Sequence, residues 1–277
     1  MTSLYFQNNF VLGFGTYPLH GPVLAAAVSA ALDAGYRAFD TAQMYGNEAE
    51  VGAALAQAVA AGRVRREELL ITTKVHPDNV TPVRFLSSVE ESRRALGVAQ
   101  IDVLLLHWPA IEGGVAGPVR LLDEARRQGL TQAIGISNFT ARQMHEAREA
   151  VDSPIETNQV EFHALLDQSR LMAAAIETGI PLASYCSLAR GAVPAEPLLA
   201  EIGARLGKSA GQVGLRWILQ KGVSLNTMST RPENIAANYA ITDFSLSALD
   251  MAAIDSLNRR GLRIVSRDLV PWAPEWD

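Results

Sequence analysis

Gly35-Tyr-Arg-Ala-Phe-Asp-Thr-Ala-Gln-Met-Tyr-Gly-Asn-Glu48 contains one complete turn of the pattern that decides the fold. Its centre, Ala38–Thr41, is a short apolar segment ending on polar residues. Before it, Pro22–Gly35 puts Val23, Ala26, Ala27, Ala30 and Ala31 on one side of a helix; after it, Glu48–Ala61 does the same with Val51, Leu55, Ala58 and Val59. The stretch therefore reads as helix, strand, helix. Seven further segments have the same character: Val11–Thr16, Leu70–Lys74, Val103–His107, Ala133–Ser137, Thr157–Glu161, Pro181–Tyr185 and Ser224–Met228. Helical periodicity returns between most of them, at Leu86–Leu96, Val119–Gln128, Ala141–Val151, Ser169–Thr178 and Pro197–Leu206.

Strands alternating with helices imply a parallel sheet covered by helices. Eight such units in 277 residues predict an α/β fold of the (β/α)8 TIM-barrel type, with residues 1–277 as a single domain. A Rossmann sheet is the alternative, because Gly13-Phe-Gly15 follows apolar residues. Its third glycine would fall at Pro18, and no helix with a suitably spaced acidic residue follows. Ahead of the barrel, the turn-favouring Asn8-Asn9 before Phe10-Val11 suggests a small hairpin plugging the bottom. At the other end, Pro271–Asp277 reads as an irregular tail that could wall a pocket at the barrel mouth.

The bulk numbers exclude several functions. A net charge of −5 without a basic tract argues against a nucleic-acid partner, and no apolar run approaches the roughly 18 residues of a membrane span. The single cysteine, Cys186, rules out an intrachain disulfide; with five scattered histidines it leaves no metal-ligand spacing, so no metal is expected. A cytoplasmic setting is expected, since the first seven residues lack the character of a secretory signal.

Chemistry gathers at three segment ends. Asp40 closes the first, with Tyr45 one short loop later; Lys74 closes the next and His107 the one after. In a barrel the active site lies at strand C-termini. A phenol with a pKa near ~10 needs a nearby cation to protonate a carbonyl at neutral pH, and the cation needs a counter-ion. Tyrosine, lysine and aspartate supply that set, with histidine beside it. A barrel lyase using Lys74 as a Schiff base is a competing possibility.

Gly35-Tyr-Arg-Ala-Phe-Asp-Thr-Ala42, Leu105-Leu-His-Trp-Pro109, Ile134-Gly-Ile-Ser-Asn-Phe139 and Thr157-Asn-Gln-Val-Glu161 resemble signature stretches of the aldo-keto reductase family. The resemblance implies hydride transfer from a nicotinamide cofactor to a small carbonyl substrate, with Tyr45 as proton donor, Lys74 and Asp40 tuning it, and His107 orienting the substrate. It also implies cofactor contacts from Gly15, Thr16, Tyr17, Asp40, Ser137, Asn138 and Gln159, a stacking ring at Tyr185 and an apolar contact at Leu188. The adenosine end would be met by Met228, Ser229, Thr230, Arg231, Asn234 and Asn238. Here the chain departs from the family, whose NADPH-preferring members commonly carry lysine at the Met228 position and arginine at the Asn234 position. Ser229-Thr-Arg-Pro-Glu233 nonetheless reads as a helix N-terminus that could bind an anion, with Arg231 adding charge, which puts NADPH ahead of NADH. The substrate pocket would be lined by Tyr17, Met44, Trp108, Phe139 and Trp272, and the glycine-rich Ala110–Gly117 loop suggests an open mouth. A monomer is expected, and a cofactor-binding regulatory subunit with little turnover is the alternative to an enzyme.

Overall fold

A computed structural model describes residues 3–7, 10–110 and 113–277. Eight parallel strands close into a barrel in sequence order: β1 (Leu12–Gly15), β2 (Ala38–Asp40), β3 (Leu70–Val75), β4 (Ile101–Leu106), β5 (Thr131–Ser137), β6 (Ile155–Glu161), β7 (Leu182–Tyr185) and β8 (Ser224–Thr227), with β1 pairing β8. Each lies within one of the eight expected segments or extends one by a few residues. The first six helices, α1 (Gly21–Ala34), α2 (Glu48–Ala60), α3 (Phe85–Ala95), α4 (Ala116–Arg127), α5 (Ala141–Ala150) and α6 (Ser169–Thr178), follow their strands in turn. Two helices, α7 (Pro197–Leu206) and α8 (Ala210–Gln220), separate β7 from β8; α8 packs on β8, and α7 packs on α8. After β8 come α9 (Pro232–Tyr239) and α10 (Ala248–Asp255). Periodicity alone did not mark α8 or α10. Their N-termini are fixed by reciprocal caps, Ser209 with Gln212 and Ser247 with Asp250.

Strand periodicity divides the core in two. Phe39, Ile71, Leu104, Leu106, Ile134 and Ile136 point outward and pack with helix residues such as Leu55, Val89 and Leu122. Their neighbours on the opposite face point inward. At the lower end of the lumen Ala38, Leu70, Val103, Leu105 and Ala133 form a separate apolar cluster with Tyr5 and Phe10. Higher on the same inward stripes come Asp40, Lys74, His107 and Ser137. The lumen is tight: a Cβ on Gly135 would lie 2.5 Å from Leu105 Cδ2 and 3.1 Å from the Thr157 carbonyl oxygen. Glycine lets β5 approach its neighbours there.

The chain's start does plug the barrel bottom. Among the described residues, however, it forms a 3-10 turn, Leu4–Phe6, and no strand precedes Leu12; Asn8 and Asn9 lie outside the described residues. Tyr5 is buried and its hydroxyl lies 2.8 Å from Thr72 Oγ1, so a side-chain bond inside the lumen does the work expected of a hairpin. Residues 261–277 form no regular element and fold over the opposite, C-terminal mouth.

Candidate active site

Lys74 is fully buried at the end of β3, and three acceptors surround its ammonium. Nζ lies 2.5 Å from Asp40 Oδ1, 2.9 Å from the Thr41 carbonyl oxygen and 3.3 Å from the Tyr45 hydroxyl. The other carboxylate oxygen, Oδ2, accepts from Gln159 Nε2 at 2.7 Å. Burial pulls the lysine pKa down, but the charges and hydrogen bonds of Asp40 and Tyr45 outweigh it and leave it above its usual value. Tyr45 goes the other way from the simple expectation. The Lys74 charge does lower its pKa, yet burial is the larger effect and the net shift is upward, so the free phenol stays protonated.

His107 follows β4 and faces Tyr45 edge-on at 5.6 Å between ring centroids. Burial first, then the charges of Lys74 and His76, hold its pKa well below 6.5, so the ring is neutral. Its Nδ1 is buried without a hydrogen-bond partner. Its carbonyl oxygen accepts from Asn138 Nδ2 at 2.9 Å. Asn138 itself has φ 65°, a left-handed conformation that asparagine tolerates better than most residues. Its side chain also donates to Ser137 Oγ at 3.1 Å and accepts from the Tyr185 hydroxyl at 2.6 Å, while Ser137 Oγ donates to the Gln159 carbonyl oxygen at 2.7 Å. Ser137, Asn138, Gln159 and Tyr185 therefore form one network next to Asp40.

Beside these residues opens a cavity of about 510 Å³. Gly15, Thr16, Tyr17, Asp40, Tyr45, Gln159, Tyr185, Leu188 and Met228 line it, as do Pro18, Cys186, Ser187, Arg190, Asn226 and Thr227, none of these last among the expected site residues. Arg190 is the only cation among the described lining residues. It is exposed, and it sits with φ 48° in a loop where Cys186 and Ala189 also have positive φ. Such strain clusters at functional sites. The Cys186 thiol, pushed up to about 11 by burial, stays protonated.

The residues expected at the adenosine end are less gathered. Met228 reaches the cavity; Ser229, Thr230, Arg231, Asn234 and Asn238 lie beyond its lining. Arg231 caps α9, but its guanidinium is already engaged by Glu233 at 2.9 Å and Asn234 at 3.4 Å. Asn238 is buried within that helix.

On the far side of His107, Trp108, Val265 and Ala273 form a buried cluster, with Met44, Tyr185, Trp272 and Trp276 packed against it. Trp108 stacks on His107 at 6.2 Å and meets Trp276 at 6.3 Å, so the C-terminal tail packs beside His107, with none of its residues among those lining the cavity above. Tyr17, more than half exposed, lies 5.1 Å from the Tyr45 ring. Phe139 is a correction. Expected in the pocket wall, it is fully buried in the main core, its backbone bonded to Asn158. Ile111 and Glu112, in the glycine-rich loop, lie outside the described residues.

The aldo/keto reductase family profile matches residues 11–259. The chain belongs to the aldo-keto reductase family. Methylglyoxal reductase DkgB of Yersinia pestis is 40% identical over 270 residues, covering 96% of this chain and 98% of that protein. A crystal structure of a protein assigned as 2,5-diketo-D-gluconic acid reductase B superposes with a TM-score of 0.89 at 41% identity, covering 100% of this chain and 98% of that one. The Bombyx mori aldo-keto reductase in complex with NADP gives 0.86 at 30% identity, with 93% and 92% covered. The chain is accordingly an NAD(P)H-dependent oxidoreductase of the carbonyl-reducing kind. Among the described residues no helix is long and apolar enough to cross a membrane.

Proposed function

We propose that this reductase converts small aldehydes and ketones, α-dicarbonyl compounds and diketo-sugar acids among them, to alcohols with NADPH. The observation that carries this is the Lys74 ammonium set between Asp40 Oδ1 at 2.5 Å and the Tyr45 hydroxyl at 3.3 Å. When bound, the reduced nicotinamide supplies the hydride that adds to the carbonyl carbon. Tyr45 gives its phenolic proton to the carbonyl oxygen as negative charge builds there, and Lys74 stabilises the phenolate left behind. Asp40 keeps Lys74 charged. His107, neutral, can donate an N–H to the same oxygen and orient it.

The residues fit a nicotinamide nucleotide. A cavity of about 510 Å³ suits a small-molecule site, with the Tyr185 ring in its wall and the amide and hydroxyl groups of Ser137, Asn138 and Gln159 beside Asp40. NADPH is favoured over NADH by the NADP complex of the Bombyx mori relative and by Arg190, a cation lining the cavity, with Arg231 beyond that lining at the start of α9. For the substrate, the methylglyoxal reductase relatives support a small α-dicarbonyl, held by Tyr17, Met44, Trp108 and Trp272. A cytoplasmic setting, supported by the single cysteine, and a monomeric state complete the reading.

Tyr45→Phe tests the assignment. With methylglyoxal and NADPH followed at 340 nm, turnover should fall by about 10²–10⁴, with the NADPH dissociation constant unchanged within about twofold. Retained turnover would remove Tyr45 from the proton-transfer step.

A further inference from the structure

β6, which brings Gln159 to Asp40, ends in a charge that the reaction above does not use. Glu161 is fully buried, as is His163 beside it. Its carboxylate accepts three N–H groups: His163 Nε2 at 3.0 Å and the backbone amides of Ile264 at 2.6 Å and Val265 at 2.8 Å. His163 Nδ1 in turn accepts the Leu165 amide at 3.3 Å, so the ring proton sits on Nε2 and points at Glu161. A third tie joins the tail to the same segment, from the Leu262 amide to the Leu165 carbonyl oxygen at 2.9 Å.

A buried carboxylate is costly unless its lone pairs are met, and here burial is outweighed by these donors, which lower the Glu161 pKa. Apolar packing could hold a tail against a barrel without such a charge. What the carboxylate adds is direction, because two consecutive amides reach it only in one register. That register matters at Val265, which packs on Trp108 and Ala273. Trp108 lies against His107, and Trp276 of the same tail lies against Trp108.

We propose that Glu161, oriented by His163, is a positioning residue that fixes residues 262–265 and thereby the tail-built wall of the substrate pocket. It touches neither the carbonyl compound nor the cofactor and acts through Val265 and Trp108. The proposal rests on the reductase reading of this pocket and concerns substrate affinity rather than hydride or proton transfer.

Glu161→Gln keeps the shape but replaces one acceptor with a donor. Hydrogen exchange at the Ile264 and Val265 amides should accelerate about tenfold or more, and KM for methylglyoxal should rise about tenfold. Turnover at saturation should change less than about threefold, and NADPH affinity by fluorescence titration less than about twofold, the pattern of lost uniform binding. An unchanged KM, a matching loss of kcat, or weakened NADPH binding would overturn the proposal. Because the variant could fold poorly, the unaltered chain supplies a second test: its Ile264 and Val265 amides should exchange far more slowly than those of residues 268–277. Equal exchange across the tail would overturn the clamp. An unaltered chain that turns over no carbonyl refutes the reductase reading instead, and leaves the exchange results to decide the clamp on their own.

Discussion

The two ends of the cavity proposed to hold the cofactor are built differently. At the catalytic end Asp40 and Lys74 are buried charges that neutralise each other, and Asp40, Lys74 and Gln159 are carried on strands of the closed barrel. At the far end Arg190 is exposed on a positive-φ turn, and beyond the lining Arg231, at a helix start, is two-thirds exposed and tied to Glu233. Strand-mounted charges hold their geometry before any ligand arrives, while loop-mounted ones can adapt to a phosphate. On the proposed reading of the cavity, the difference separates chemistry, which needs fixed distances, from nucleotide choice, which tolerates movement.

Lys74→Met attacks this contrast most strongly. It strands the Asp40 carboxylate in a buried site, so unfolding free energy from urea titration should drop by about 3–5 kcal/mol, with loss of turnover. A drop below about 1 kcal/mol would show that the rigid end is not held together by its ion pair.

A pH titration probes the same end more gently. The folded pKa of His107 is depressed, so between that value and about 6.5 the unfolded chain binds a proton that the folded chain does not. Stability should therefore fall as pH drops below about 6.5, by at most about 1.4 kcal/mol per pH unit for this group. His107→Gln should flatten that part of the Tm profile; an identical slope would mean the ring is not buried in its neutral form.

The smallest effects belong to the loop-mounted end. Arg190→Ala should weaken NADPH binding by about tenfold, and Arg231→Ala, whose charge is shared with Glu233, by about threefold with little change for NADH. Equal losses for both nucleotides in Arg231→Ala would show that it does not read the extra phosphate. Unchanged binding in Arg190→Ala would erase the proposed division of labour at that end.

Much of the catalytic end was legible in the sequence because it depends on short periods. Residues two apart on a strand share a face, so Leu70, Thr72 and Lys74, like Val103, Leu105 and His107, lie on inward stripes whose lower members are apolar and upper members polar. Less was legible elsewhere. Arg190 sits in a turn whose backbone strain leaves no trace in periodicity. Phe139, expected among the pocket aromatics, turns its side chain into the main core. Trp276 was seen only as part of a tail, with no sign of its contact with Trp108.

The eightfold repeat, the strand ends that carry polar side chains, and the pairing of a phenol with a cation and its counter-ion can all be read along the chain. Local spacing encodes all three. That Gln159 meets Asp40 across 119 residues, and that the Ile264 and Val265 amides meet Glu161 across more than 100, shows only in the folded barrel. Those contacts exist because the barrel closes and the tail crosses its mouth, and a repeat with a period of a few residues carries no information about where distant segments land.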